Sequence, residues 1–392
     1  AALDRNKVLG FVTAAGGPTA HSAIIARALS LPAVVSIGER VLELENLTTV
    51  ILNGSNGTLT IEPDAAALGT AQATQQQLQE AKSAAEKSAD QPAITKDGHR
   101  VEVVANIGGV ADAEKATVSG AEGVGLLRTE FLFLERTAAP TEQEQFEVYR
   151  DIVQAMEGKP IIVRTLDIGG DKPLPYIDVA PEANPFLGER GIRLCLNRPE
   201  LLRKQLRAIL RAAEFGPLRI MFPMVADLSE WRAARDMVAE VQAELNAPQV
   251  ELGIMIEVPS AALMADAFAQ EVDFFSIGTN DLTQYTLAMD RMHPSLAGKS
   301  DGLHPAVLRL IAGTVEAAHA AGKWVGVCGE LGADPQAVPI LLGMGVDELS
   351  VSVPAVASDK AQVRSLTLAE AKLQAQRALA SGTAAEVRDG SP

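Results

Sequence analysis

Residues 16–29, GGPTAHSAIIARAL, set Gly16 and Gly17 ahead of Thr19, His21 and an apolar run that reads as a helix from about Ala20 to Ser30. Two glycines let the backbone turn tightly and present its N–H groups. The start of a helix carries partial positive charge, which stabilises a phosphoryl group there. The same field disfavours imidazolium, and a neutral imidazole is the form that attacks phosphorus. His21 therefore reads as a phosphoryl-carrying nucleophile. The plainer alternative, a capping loop with an incidental histidine, does not account for the whole GGxT-x-H-x-A-I-x-A-R pattern. Arg27 lies off the His21 face of the helix and suits a structural ion pair as well as a phosphate contact.

A second set of reactive residues lies far along the chain. Glu257 in IMIEVPSAA and Asp281 in SIGTNDLTQYT, beside Asn280, form a carboxylate pair. Two carboxylates can hold Mg²⁺ and leave positions for water and substrate oxygens. Arg128, Arg164, Arg190 and Arg291 lie in GLLRTEF, IVRTLDIGGDK, FLGERGIR and AMDR, with Lys172 a further cation in GGDK. Arginine binds carboxylate and phosphate through two parallel bonds. In a chain of net charge −16, converging arginines imply a small, multiply anionic substrate. Cys328 in VGVCGE suits a proton donor or acceptor, whereas Cys195 in GIRLCLN has only a packing context.

The elements that must position these residues are legible from periodicity. From Val101 onward eight strand-like runs occur: VEVVANI, GVGLLR, IIVRTLDI, RIMFPMV, LGIMIEV, FFSIG, WVGVCGE and DELSVS. Helical patterns separate most of them. The runs are apolar without strict alternation, as parallel strands buried on both faces are. Eight such units predict an α/β fold, a (β/α)8 TIM barrel. Active residues then belong at the strand ends, which carry Asn106, Arg128, Arg164, Glu257, Asn280, Asp281 and Cys328. An open doubly wound sheet is the runner-up, but no dinucleotide or Walker-type loop supports it. Residues 1–63 predict a small β-rich domain around the His21 helix. Residues 64–92, rich in Ala, Gln, Glu and Lys, predict a helical linker about 40 Å long. The barrel is expected over 93–360 and a helical tail over 361–392.

Composition narrows the class. With 392 residues, 47% hydrophobic and 4% aromatic, the chain can fill more than one aliphatic core. The acidic balance argues against nucleic-acid binding through a basic face. Two distant cysteines make no disulfide framework and suit a reducing cytoplasm. No apolar run reaches the roughly 18 residues of a membrane span. The opening AALDRNKVLGFVT runs straight into a strand, so the chain is expected to be a fragment of a longer protein.

These motifs together resemble Enzyme I of the phosphoenolpyruvate:sugar phosphotransferase system. GGPTAHSAIIAR is similar to the family's phosphohistidine motif. GLLRTEFLFLER, VRTLDIGGDK, NPFLGERGIR, IEVPSAA, SIGTNDLTQYTLAMDR and GVCGELGADP are similar to its phosphoenolpyruvate-binding barrel. The resemblance covers nearly the whole chain and implies a swivelling His21 domain. It also implies that Glu257 and Asp281 hold Mg²⁺, and that Arg128, Arg164, Arg190 and Arg291, with Asn280, hold phosphoenolpyruvate. His21 would take the phosphoryl group, Cys328 would protonate the enolate to pyruvate, and a small histidine-containing phosphocarrier protein would receive the phosphoryl group. A homodimer formed through the barrel is implied as well. Two departures stand out. Ala20 replaces the family's usual serine, with Pro18 before Thr19. The family's helical phosphocarrier-docking domain would precede residue 1. Pyruvate phosphate dikinase and phosphoenolpyruvate synthase are the nearest alternatives, but they carry an ATP-binding domain that is not visible here. A regulatory phosphorelay is the other alternative, and a non-catalytic binding barrel is disfavoured because every catalytic position is filled.

Overall fold

The computed structural model describes residues 7–15, 31–54, 56–134, 136–170, 174–177, 180–293 and 295–390. The His21 loop and its expected helix, Arg27 and Lys172 lie outside the described residues. Two compact units are present: Ala1–Ala84 with Leu287–Ser300, and Ala85–Thr286 with Asp301–Pro392.

In the first unit, β1 (Phe11–Val12) pairs in parallel with β2 (Ala33–Val34). β3 (Val50–Asn53) and β4 (Thr58–Ile61) form an antiparallel hairpin. The Ala- and Gln-rich stretch that follows is helical over Ala65–Lys87, 23 residues with Ala85 as the buried one. At 1.5 Å per residue that helix is about 35 Å long.

The second unit is built on a closed parallel barrel. Its strands are β5 (Glu102–Ile107), β6 (Val124–Arg128), β7 (Ile161–Arg164), β8 (Leu218–Phe222), β9 (Glu251–Ile256), β10 (Phe274–Ile277), β11 (Trp324–Val327) and β12 (Glu348–Ser352). Each pairs with the next in sequence, and β12 returns to β5. All eight expected strands are present in the expected order, so the (β/α)8 architecture holds. Their unbroken apolar character has a physical cause. Side chains alternate across a strand, and here both faces are covered. Leu126, Ile162, Met221, Met255, Phe274 and Cys328 form one inner cluster. Val103, Val163, Ile220, Ile254 and Phe275 belong to a second, outer core with the helices.

The helices follow from ordinary signals. Pro199 opens helix Pro199–Ala212, and Leu202, Leu206, Ile209 and Leu210 give it one buried apolar face. Thr141 and Glu144 form a reciprocal capping box at helix Glu142–Ala155. The run IIVRTLDI reads as one strand, yet β7 stops at Arg164. Beyond it the Leu166 N–H leaves the ladder and donates to Gln205 Oε1 at 2.8 Å. A buried side-chain acceptor on a neighbouring helix thus ends the strand early. At the other end of the chain, helix Val356–Ser365 runs across the expected boundary at residue 361. Helices Leu368–Ala380 and Ala384–Asp389 follow. Helix Leu368–Ala380 lies so close to helix Ala337–Met344 that a Cβ on Gly343 would meet the Ala371 carbonyl. Among the described residues no helix is long and apolar enough to cross a membrane.

Candidate active site

Arg128 and Arg164 are direct partners in the ladder between β6 and β7. Like charges placed opposite one another destabilise a sheet, so this pair is costly unless something anionic meets it. Arg164 is 6% exposed, and its Nη2 donates to Glu130 Oε1 at 2.5 Å while Nη1 lies 3.1 Å from Asp167 Oδ2. Burial alone would lower the Arg164 pKa, but Glu130, Asp167 and Glu257 outweigh it and raise it. Arg128 is exposed, with no ion pair among the described residues. A buried scaffold holds this pair from behind. Thr129 Oγ1 donates to the Arg164 carbonyl at 2.9 Å, and Gln205 Nε2 donates to Thr129 Oγ1 at 3.0 Å and to the Tyr149 hydroxyl at 3.2 Å.

Arg190 follows a 3-10 turn, Pro185–Leu187, and precedes Gly191, whose φ of 58° is more readily adopted without a side chain. Its guanidinium joins two carboxylates. Nε and Nη2 donate to Asp167 at 3.0 Å each, and Nη1 donates to Asp281 Oδ1 at 2.8 Å. Asp281 lies in the first turn of helix Thr279–Leu287, directly after β10. Tyr285, on the same helix, accepts from Arg190 Nη1 at 3.3 Å and donates to the Phe186 carbonyl at 2.5 Å.

Glu257 directly follows β9 and is 1% exposed. Its Oε1 accepts the Met224 N–H at 2.6 Å. Gly278 leaves room for it, since a Cβ there would lie 3.1 Å from Glu257 Oε2. Burial first, then the charges of Asp281 and Asp167, push the Glu257 carboxyl up to about 8. Four carboxylates (Glu130, Asp167, Glu257 and Asp281) thus share this region with the two buried guanidiniums of Arg164 and Arg190. Fully ionised, these four acids outnumber the arginines even when Arg128, opposite Arg164, is counted with the two buried guanidiniums. Among the described residues, no group of three or more His, Cys, Asp or Glu is arranged to hold a metal ion, so Glu257 and Asp281 stand as a carboxylate pair.

Cys328 is free, 3% exposed and one residue past β11. Its Sγ reaches the Ile277 carbonyl at 3.6 Å. Burial pushes the thiol up to about 11, against the lowering effects of Ser276, Arg164 and Arg128. Asn280 Oδ1 accepts the Glu330 N–H at 3.0 Å, joining the β10 and β11 loops. Asn106 acts as a tie across the barrel end, its Nδ2 donating to the Cys328 and Ser350 carbonyls at 3.1 and 3.0 Å. Arg291 lies in Leu287–Ser300, within the first unit, and is half-buried in the turn where the Met292 N–H donates to Asp290 Oδ1 at 2.8 Å. Cys195 is fully buried, and its thiol is pushed up to about 12 by burial, as a packed side chain would be.

Residues 82–368 match the family described as PEP-utilising enzyme, PEP-binding domain, and residues 1–57 match its mobile domain. A phosphoenolpyruvate-protein phosphotransferase of Staphylococcus carnosus is 48% identical over 99% of this chain and 69% of its own length. The chain belongs to this phosphotransferase family of PEP-utilising enzymes. The Bacillus subtilis phosphoenolpyruvate-protein phosphotransferase is 46% identical over 99% of the chain and 69% of its own length. A multiphosphoryl transfer protein of Rhodobacter capsulatus is 55% identical over 99% of the chain and 47% of its own length. The chain therefore spans about half the length of the multiphosphoryl transfer proteins it matches and about seven-tenths of the single phosphotransferases.

Within this phosphotransferase fold, sequence reasoning passed over Glu130, Asp167 and Tyr285. Glu130 and Asp167 sit inside the quoted motifs RTEF and RTLDIGG, two and three residues past strand-end arginines. That spacing was the available signal. A buried arginine needs a paired carboxylate, and these are the nearest acids. Nothing in the sequence marked the Met224 N–H as the partner of Glu257.

Proposed function

We propose that the chain transfers the phosphoryl group of phosphoenolpyruvate to His21 and releases pyruvate. The observation that carries this reading is the in-register pair Arg128 and Arg164 on adjacent strand ends, a seat for a trianionic substrate in a protein of net charge −16. Arg128, Arg164, Arg190 and Arg291 bind the phosphate and carboxylate, and Asn280 orients the substrate. His21, as neutral imidazole, attacks phosphorus in line as the bond to the enol oxygen breaks. The enolate carbon takes the Cys328 proton, giving pyruvate and a thiolate that solvent later reprotonates. A thiol held near 11 keeps its proton at neutral pH, and the nearby Arg164 and Arg128 charges favour the transient thiolate.

Glu257 and Asp281 would hold a divalent cation, Mg²⁺ by the hardness of the oxygen donors. The surplus of acids over arginines in this region, and the raised Glu257 carboxyl beside Asp281 and Asp167, fit such an ion. When bound, it supplies charge neutralisation at substrate oxygens. The phosphoryl group on His21 passes onward to a small histidine-containing phosphocarrier protein, in keeping with the names of the multiphosphoryl relatives. The protein acts in the cytoplasm as a dimer formed through the barrel. Incubation with phosphoenolpyruvate carrying labelled phosphate should label the chain, and His21→Ala should abolish the label. Labelling from ATP, or label surviving in His21→Ala, would overturn the reading.

A further inference from the structure

Helix Ala384–Asp389 lies past residue 368, where the match to the PEP-binding domain ends. Its Ala-rich sequence carries no motif, yet Arg388 within it is engaged along its whole guanidinium. Nε and Nη2 donate to Asp301 at 2.5 and 2.8 Å. Nη2 also reaches Asp334 Oδ2 at 3.1 Å, and Nη1 donates to Gln336 Oε1 at 2.8 Å. Gln336 Nε2 returns a bond to the Arg388 carbonyl at 3.1 Å. The preceding helix is held by Arg309, whose Nε and Nη2 donate to the Leu379 carbonyl at 3.3 and 3.1 Å.

The two carboxylates on Arg388 mark particular places in the barrel. Asp301 accepts the Leu303 N–H at 2.9 Å and leads into helix Pro305–Ala320, which follows β10. Asp334 accepts the Gln336 N–H at 2.9 Å and leads into helix Ala337–Met344, which follows β11. Both helix entries lie at the end of the barrel where the strands finish. From Asp334 the chain runs back through Glu330 to Cys328, and from Asp301 it runs back into Leu287–Ser300 and Arg291. Asn280 already joins the two loops through the Glu330 N–H. A single surface ion pair contributes little. A planar fork shared among acceptors from two loops instead fixes their relative position.

We infer that Arg388 is a positioning residue, clamping the β10 and β11 loops into one piece so that Cys328, Asn280 and the root of the Arg291 segment hold their places. The catalytic part of this inference rests on the phosphoenolpyruvate reading above. The test uses the full chain carrying Arg388→Gln, with Arg388→Lys as the conservative variant. Asp334→Asn, which keeps an acceptor at the helix entry, probes the clamp from the other side should Arg388→Gln fail to fold. Amide hydrogen exchange over 287–304 and 328–337 should accelerate about tenfold while strands β5 to β9 keep their rates. Pyruvate release should fall about tenfold, chiefly in kcat, with Arg388→Lys recovering part of the loss. Unchanged exchange in both segments, or exchange that rises evenly across the barrel with kcat intact, would overturn the clamp. A localised exchange response in the variant, with no pyruvate made even by the unsubstituted chain, would uphold the clamp and defeat the phosphoenolpyruvate reading.

Discussion

At Cys328 burial and chemistry pull together. A thiol in an apolar wall resists ionisation, and the value near 11 reflects that wall more than its charged neighbours. Such a group is a poor nucleophile at pH 7 but a competent acid toward an enolate, which is the stronger base. Cys328→Ala should therefore slow pyruvate formation by about a hundredfold while His21 phosphorylation slows only several-fold. Rapid-quench measurement of both products decides the matter, since an equal loss in each would remove Cys328 from the proton-donor role. Arg164 and Arg190 make the complementary point. Each is buried at a cost that only paired acids offset, which is why Glu130 and Asp167 are as much a part of the site as the arginines.

Strand β12 carries chemistry of another kind at its opposite end. Glu348, its first residue, is 4% exposed and lies in register with Glu102 on β5. Its Oε1 has no hydrogen-bond partner among the described residues. Burial pushes its carboxyl up to about 8, Arg219 opposes the rise, and Glu102 and Asp347 add to it. The neutral acid is thus the form the folded barrel prefers. Its stabilising contribution is complete below about 4.5, the unfolded value, and disappears as pH climbs through about 8. Glu348→Gln keeps the shape without the proton. Relative to the parent, this variant should gain on the order of a few kcal/mol between pH 5 and pH 9. Denaturant unfolding at the two pH values would show it, and a difference independent of pH would mean that Glu348 is ionised in the fold. Phe274 stacked on Trp324 at 4.8 Å, with Arg219 5.0 Å over the indole, packs this end of the barrel as hydrophobic core.

For the molecule as a whole, the proposed chemistry divides labour between two compact units. One contains His21 and the Leu287–Ser300 segment with Arg291; the other contains Arg128, Arg164, Arg190, Glu257, Asp281 and Cys328. The chain is covalently continuous between them through helix Ala65–Lys87 and through the two ends of the 287–300 excursion. The proposed dimer belongs to this scale. Sedimentation velocity with Mg²⁺ and phosphoenolpyruvate should give a dimer, and a monomer persisting at high concentration would remove the barrel interface from the account.

The sequence by itself determined the barrel, because a strand covered on both faces must be apolar throughout, and eight such runs separated by helices admit few closures. It also placed Arg128, Arg164, Glu257 and Cys328 at or one residue past strand ends, since an apolar run visibly stops there at a polar or reactive residue. Asp281, also read as a strand end, lies instead in the first turn of helix Thr279–Leu287. Only the tertiary structure decided how those charges are shared. Nothing in the sequence shows that Arg190 spans Asp167 and Asp281, two acids 114 positions apart in the chain. The end of β7 at Arg164 likewise depended on Gln205, a side chain delivered by a helix 39 residues on. Arg388 shows the same rule at the far end of the chain. Local periodicity follows from each segment's own side chains, whereas the pairing of buried charges depends on which distant segments meet, and no local pattern encodes that.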